Sequence, residues 1–236
     1  ENLLVLRHGF PLQGISFALR AGEVLGIAGV AGSGQKELLE ALAGLRPYRG
    51  RVRFGGSPLP QDPARLFALG VAHIPEERST GVVAGMSVAE NLALRTYFRY
   101  ARRGLLDYGR MEKDAEELMR RHRIQAPSPR TPLRFLSGGN VQKVILVREL
   151  KEGPRLVLAM HPTYGVDVGA AEEVHGRLLD LVREGGAVLL VSEDLEEVLS
   201  LSHRVAALYH GRLVGPIPRE EASRERLGRM MTEGQA

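Results

Sequence analysis

Apolar positions along the 236-residue chain follow two rhythms. Short, nearly continuous runs at 23–29 (EVLGIAG), 71–75, 155–160 and 187–192 have the length of strands buried on both faces. Helical patterns fall between and beyond them, at 35–44, 111–123, 144–150 and 219–231. Strand alternating with helix predicts an α/β fold with a largely parallel sheet covered by helices. Segments 2–6, 14–20 and 51–54 instead alternate apolar with polar residues and carry turn signals, which predicts a small antiparallel β layer. Residues 87–152 read as helical with no convincing strand, the pattern of an inserted helical lobe. The expected organisation is one domain over 1–236. Residues 1–86 and 153–217 form the core and β layer, 87–152 the helical lobe and 218–236 a C-terminal helix.

Composition narrows this picture. A hydrophobic fraction of 44% supports a large core, while no apolar run approaches the roughly 18–20 residues that cross a bilayer. The N-terminus lacks the progression of a signal peptide, so a soluble, cytoplasmic chain is expected. It begins at Glu1 rather than Met, which predicts a longer parent polypeptide. With no cysteine, disulfides and thiolate metal sites are excluded. The net charge of +4 comes mostly from arginine, the lysines being Lys36, Lys113, Lys143 and Lys151. These cations are dispersed among acids with little aromatic interleaving, which argues against a nucleic-acid partner. The acids-then-bases order of 111–123 suits a helix dipole and needs no function beyond a solvated face.

Two segments carry chemistry. Gly29-Val-Ala-Gly-Ser-Gly-Gln-Lys-Glu37 lies between a predicted strand and helix, where backbone N–H groups cradle phosphate oxygens. Gly29, Ala31, Gly32, Ser33, Gly34, Gln35, Lys36 and Glu37 are its candidate nucleotide contacts. A phosphate loop of this kind takes Lys after the last glycine and then Ser or Thr, but Gln35 and Lys36 stand there. Gln35 brings no cation, Lys36 brings no hydroxyl for magnesium, and one step along a helix turns Lys36 away by about 100°. The second segment, Leu136-Ser-Gly-Gly-Asn-Val-Gln-Lys143, precedes an apolar helical run, so Ser137 is a natural N-cap with its glycines at the helix mouth.

With that segment the chain resembles the ABC ATPase family, whose LSGGQ signature contacts ATP bound by the opposing half of a dimer. The variant with Asn140 is similar to that of sugar and nucleoside importers. The resemblance implies an ABC ATPase fold, with Ser137, Gly138, Gly139, Asn140 and the D-loop acid Asp167 acting in trans. It aligns Met160 with the magnesium-associated aspartate and His161 with the glutamate that polarises water. It also aligns Glu193 with the switch histidine and Glu76 with the Q-loop glutamine. None of these replacements does the original task well, so no catalytic residue is expected intact and no metal is expected at the local site. Phe10 is the candidate to stack on adenine.

The expected function is the ATP-binding subunit or half-subunit of an importer, the second, C-terminal half, completing a partner's ATP·Mg2+ site while its own is degenerate. Its partners would be a second nucleotide-binding domain and transmembrane permease subunits, holding it on the inner face of the membrane. Gly-Gln-Lys-Glu and Met-Ser-Val-Ala-Glu-Asn-Leu lean toward a nucleoside rather than a sugar cargo. The alternatives are a noncatalytic nucleotide-binding scaffold and a soluble ABC ATPase, the latter calling for a coiled coil or basic arm that the pattern lacks.

Overall fold

In the computed structural model, residues 12–235 are described. The candidate Phe10 and the predicted strand 2–6 lie outside them. Strands β1 (Glu23–Gly29), β2 (Arg53–Phe54), β3 (Ser57–Pro58), β4 (Val71–Ile74), β5 (Ala101–Arg102), β6 (Leu105–Leu106), β7 (Leu156–Met160), β8 (Ala187–Val191), β9 (Arg204–Tyr209) and β10 (Arg212–Pro218) occur in that order. The helices are α1 (Gln35–Leu42), α2 (Pro63–Ala68), α3 (Arg78–Gly81), α4 (Val88–Ala93), α5 (Tyr108–Arg121), α6 (Gly138–Leu150), α7 (Val168–Arg183), α8 (Leu195–Leu201) and α9 (Arg224–Glu233). Contacts divide the chain into two compact units.

Among the described residues, the first unit comprises 12–73, 153–161 and 175–235. Its sheet runs β10-β9-β1-β8-β7-β4, with β1 parallel to β8 and β9, β7 parallel to β8, and β10 antiparallel on β9. Every residue of β1 and β8 is buried, as their unbroken apolar runs require when both faces are covered. On one face Leu38, Leu39 and Leu42 of α1 pack over Leu25, Ile27, Leu158, Leu189 and Leu208. Each such side chain contributes about 1.5–3 kcal/mol by leaving water. On the other face Val198, Leu227 and Met230 cover Ala28, Val205 and Ala207.

The four predicted core strands and α1 appear where the apolar pattern put them. The antiparallel layer is smaller than expected. Residues 14–20 contain a single bridging residue, Ser16, and 51–54 contributes only the two-residue strand β2 of a hairpin. The pattern also passed over β9 and β10, whose His210-Gly211 turn, φ 44° and 78°, pairs Tyr209 with Arg212.

The second unit comprises residues 74–152 and 162–174. Its core joins Val88 and Leu92 of α4, Met111, Ala115 and Met119 of α5, and Val144 and Val147 of α6. Against the all-helical expectation, 101–106 fold into the small β5–β6 hairpin. Helix α5 starts three residues before the predicted 111 because Asp107 accepts the Arg110 N–H at 2.9 Å. The helix predicted over 219–231 is interrupted, beginning with a short 3-10 turn before Ser223 caps α9.

Candidate functional site

Adjacent parallel strands bring their carboxyl ends together, the usual place for a ligand in an open α/β sheet. Here Gly29 closes β1, Met160 closes β7 and Val191 closes β8, with Ile27 and Met160 both opposite Val191. The loop leaving β1 reaches α1 through Gly32 at φ 81° and Gly34 at φ 108°, left-handed conformations that glycine adopts without strain. Val30, Ala31 and Gly32 are exposed, and Gly34 caps α1 with no side-chain hydrogen bond. This backbone suits an anion.

The side chains do not. Gln35 is buried and turns back into the loop, its Nε2 donating to the Val30 carbonyl at 2.9 Å, and the Ser33 N–H donates to the same oxygen at 3.1 Å. A Cβ at Gly29 would collide with the Gln35 amide, so the residue after the last glycine fills the loop's interior. Lys36 is half-buried on α1. Buried Glu37 puts an acid in the first turn, where it satisfies the helix dipole and competes with phosphate for it.

Met160 is buried and ends in a thioether, a poor ligand for a hard cation. His161 stands at φ 44°, its N–H donating to the Val191 carbonyl at 2.9 Å. Its Nδ1 accepts the Glu193 N–H at 3.4 Å, which ties the ring to the turn after β8. Glu193 itself is exposed. Among the described residues no group of three or more His, Asp or Glu side chains could hold a metal ion.

In the second unit, Ser137 caps α6, with Oγ accepting the Asn140 N–H at 3.4 Å and Nδ2 at 2.9 Å. Asn140 Oδ1 accepts the Gln125 N–H at 2.7 Å, fastening the helix mouth to the segment after α5. Ser137 and Gly138 are exposed, and Gly139 and Asn140 are half-buried. At the mouth of this signature-like helix the exposed Gly138 has the Arg78 guanidinium beside it. Asp167 is exposed and caps α7 by accepting the Ala170 N–H at 2.9 Å. That bond, helped by Lys143 with Nζ 4.0 Å away, holds its carboxyl below the usual carboxylate range. Glu76 is exposed.

The candidates thus fall into two groups. Gly29 to Glu37, Met160, His161 and Glu193 gather in the first unit; Glu76, Ser137 to Asn140 and Asp167 belong to the second. Sequence reasoning passed over two side chains at the helix mouth. Gln142 is buried and donates to the Pro162 carbonyl at 2.9 Å, and Arg78 donates to the Tyr164 carbonyl. No spacing rule marks either, because both serve backbone carbonyls remote in sequence.

Among the described residues no helix is long and apolar enough to cross a membrane. A family model for the ABC transporter matches residues 12–164. The chain is 37% identical over 99% of its length to the nucleoside import ATP-binding protein NupA of Lactococcus lactis, covering 47% of that relative. It is 39% identical over 93% to the guanosine import ATP-binding protein NupO of Bacillus subtilis, covering 44%. It is 41% identical over 94% to the ribose import ATP-binding protein RbsA 1 of Rubrobacter xylanophilus, covering 46%. The chain thus spans about half the length of these curated relatives. Among solved structures, an ATP-binding subunit of an ABC transporter aligns over 98% of both chains at TM-score 0.77 and 21% identity. A dimeric cassette bound to ADP and Pi aligns over 92% of this chain and 96% of its own at TM-score 0.76 and 21% identity. These two share the fold. With its family match over 12–164, the chain belongs to the ABC transporter family.

Proposed function

We propose that the chain is one nucleotide-binding domain of an importer for a nucleoside or a sugar, the degenerate C-terminal half, and that it completes an ATP·Mg2+ site held by a second cassette. One contrast carries the reading. The mouth of α6 at Ser137 and Gly138 is capped, glycine-lined and exposed, whereas the residue after the last glycine of its own phosphate loop is a buried glutamine. Amides at a helix mouth stabilise the charge that develops on a terminal phosphate. Gln35 supplies no cation, Met160 and His161 supply no carboxylate, and Glu193 sets a carboxylate where a switch histidine would meet phosphate. Import by the relatives, as their names give it, supports the cargo class. The implied setting is the cytoplasmic face of a membrane, against permease subunits.

Ser137→Asp tests this. Aspartate is as good an N-cap as serine, so α6 keeps its start, but a carboxylate at its mouth repels phosphate. In this chain assembled with an intact second cassette and the permease, ATP turnover falls by about 100-fold or more. Thermal stability of the chain itself is unchanged. Turnover within twofold of the parent would leave the noncatalytic scaffold as the reading.

A further inference from the structure

Helix α3 is only four residues long, yet it is held hard against α6. A Cβ on Gly81 would come within 3.0 Å of both Ile145 Cδ1 and Pro75 Cγ. This packing sets the position of Arg78 at the start of α3. From there the guanidinium crosses the mouth of α6. A Cβ on Gly138 would meet Nη1 at 2.5 Å, and one on Gly165 would collide with Nη2. Nη2 donates to the Tyr164 carbonyl, and the guanidinium carbon lies 5.7 Å from the centre of the Tyr164 ring. Glycine at 138 and 165 therefore gives one flat cation room between two backbones.

The placement runs against electrostatics, since a cation at a helix N-terminus opposes the dipole. Arg78 is partly exposed, so nothing in its burial forces it there. What it gains is the far side of the mouth. The turn 163–166 closes with the Val166 N–H on the Thr163 carbonyl, and Gly165 adopts φ 63°. Two neighbours fasten the same segment to α6, Gln142 through the Pro162 carbonyl and Lys143 beside Asp167. Between these two fastenings, the hydrogen bond and ring contact at Tyr164 come from Arg78.

We infer that Arg78 is a positioning residue that clamps the 163–166 turn onto the mouth of α6, so that Ser137 to Asn140 and Asp167 meet the partner cassette as one rigid body. The clamp itself is a property of this chain; its effect on turnover rests on the function proposed above. The planar fork is required, because a lysine ammonium cannot lie flat between two glycines and bond Tyr164 at once.

Arg78→Ala and Arg78→Lys test the clamp in two readouts. In the chain itself, amide exchange over 163–167 rises about tenfold or more in both variants, while exchange in β1 and β8 and the melting temperature stay the same. In the chain assembled with an intact second cassette and permease, kcat for ATP falls about 10- to 100-fold while KM shifts less than threefold, the pattern of lost geometry. Unchanged exchange in Arg78→Ala overturns the clamp, and full rescue of both readouts by lysine overturns the need for the fork. Raised exchange with unchanged turnover overturns the rigid-body role. If exchange responds but Ser137→Asp leaves turnover intact, the clamp stands and the proposed function falls.

Discussion

Gln35 donates to the carbonyl of Val30, 2.9 Å away, across the loop that joins β1 to α1. The glutamine holds the loop closed from inside and gives it no positive charge. A lysine there would have to leave the interior, since an ammonium reaches outward to solvent or to phosphate. The loop backbone does not depend on Gln35 alone, because the Ser33 N–H also bonds the Val30 oxygen.

Gln35→Lys combined with Lys36→Thr therefore separates the cradle from its charge. The double variant restores the cation and the hydroxyl while keeping Gly29, Gly32 and Gly34. Affinity for ATP, read by equilibrium titration of the chain, rises by about tenfold or more. Hydrolysis by the chain stays negligible, because Met160 and His161 are untouched. Turnover appearing in the double variant would show that Gln35 and Lys36 alone had silenced the site.

The pH dependence of stability should carry the mark of Asp167. The Ala170 N–H, then Lys143, hold its folded pKa below the unfolded value. A depressed acid stabilises the fold above its unfolded pKa, about 3.9, and that stabilisation is lost as pH falls through the lower folded value. The difference in melting temperature between the parent and Asp167→Ala is thus full at neutral pH and shrinks below about pH 4. A difference that is constant with pH would mean that the carboxylate does not cap α7 as a charge.

The core strands were readable because each is buried on both faces, and an unbroken apolar run of five to seven residues such as β1 or β8 has few other uses. The β9–β10 edge was not. Its outer strand is only half-buried, and its two-residue His210-Gly211 turn is a weaker signal than Asn-Gly. At the site, Ser137 and the glycines were legible because capping is local in sequence. The Arg78 and Gln142 contacts were not, since each joins residues 86 or 20 positions apart. The Ser-Val-Ala-Glu-Asn string has a cause inside the fold. Ser87 and Glu90 form a reciprocal cap on α4, and Asn91 binds the loop before it, so the string says little about cargo.

Asn91 supports the last prediction. It is fully buried and uses its whole amide. Oδ1 accepts the Val83 N–H at 2.9 Å, and Nδ2 donates to the carbonyls of Val83, Met86 and Ser87 at 3.0, 3.2 and 3.0 Å. Asn91→Ala leaves those groups short of partners and opens a void beside the second unit's core, at a cost of about 2–4 kcal/mol. Asn91→Asp keeps the shape, but at neutral pH it turns a carboxylate oxygen toward three carbonyls and costs at least as much. Urea unfolding reads both as lowered midpoints with an unchanged slope, aspartate no better than alanine. If aspartate proved the milder change, shape rather than hydrogen bonding would be what Asn91 supplies.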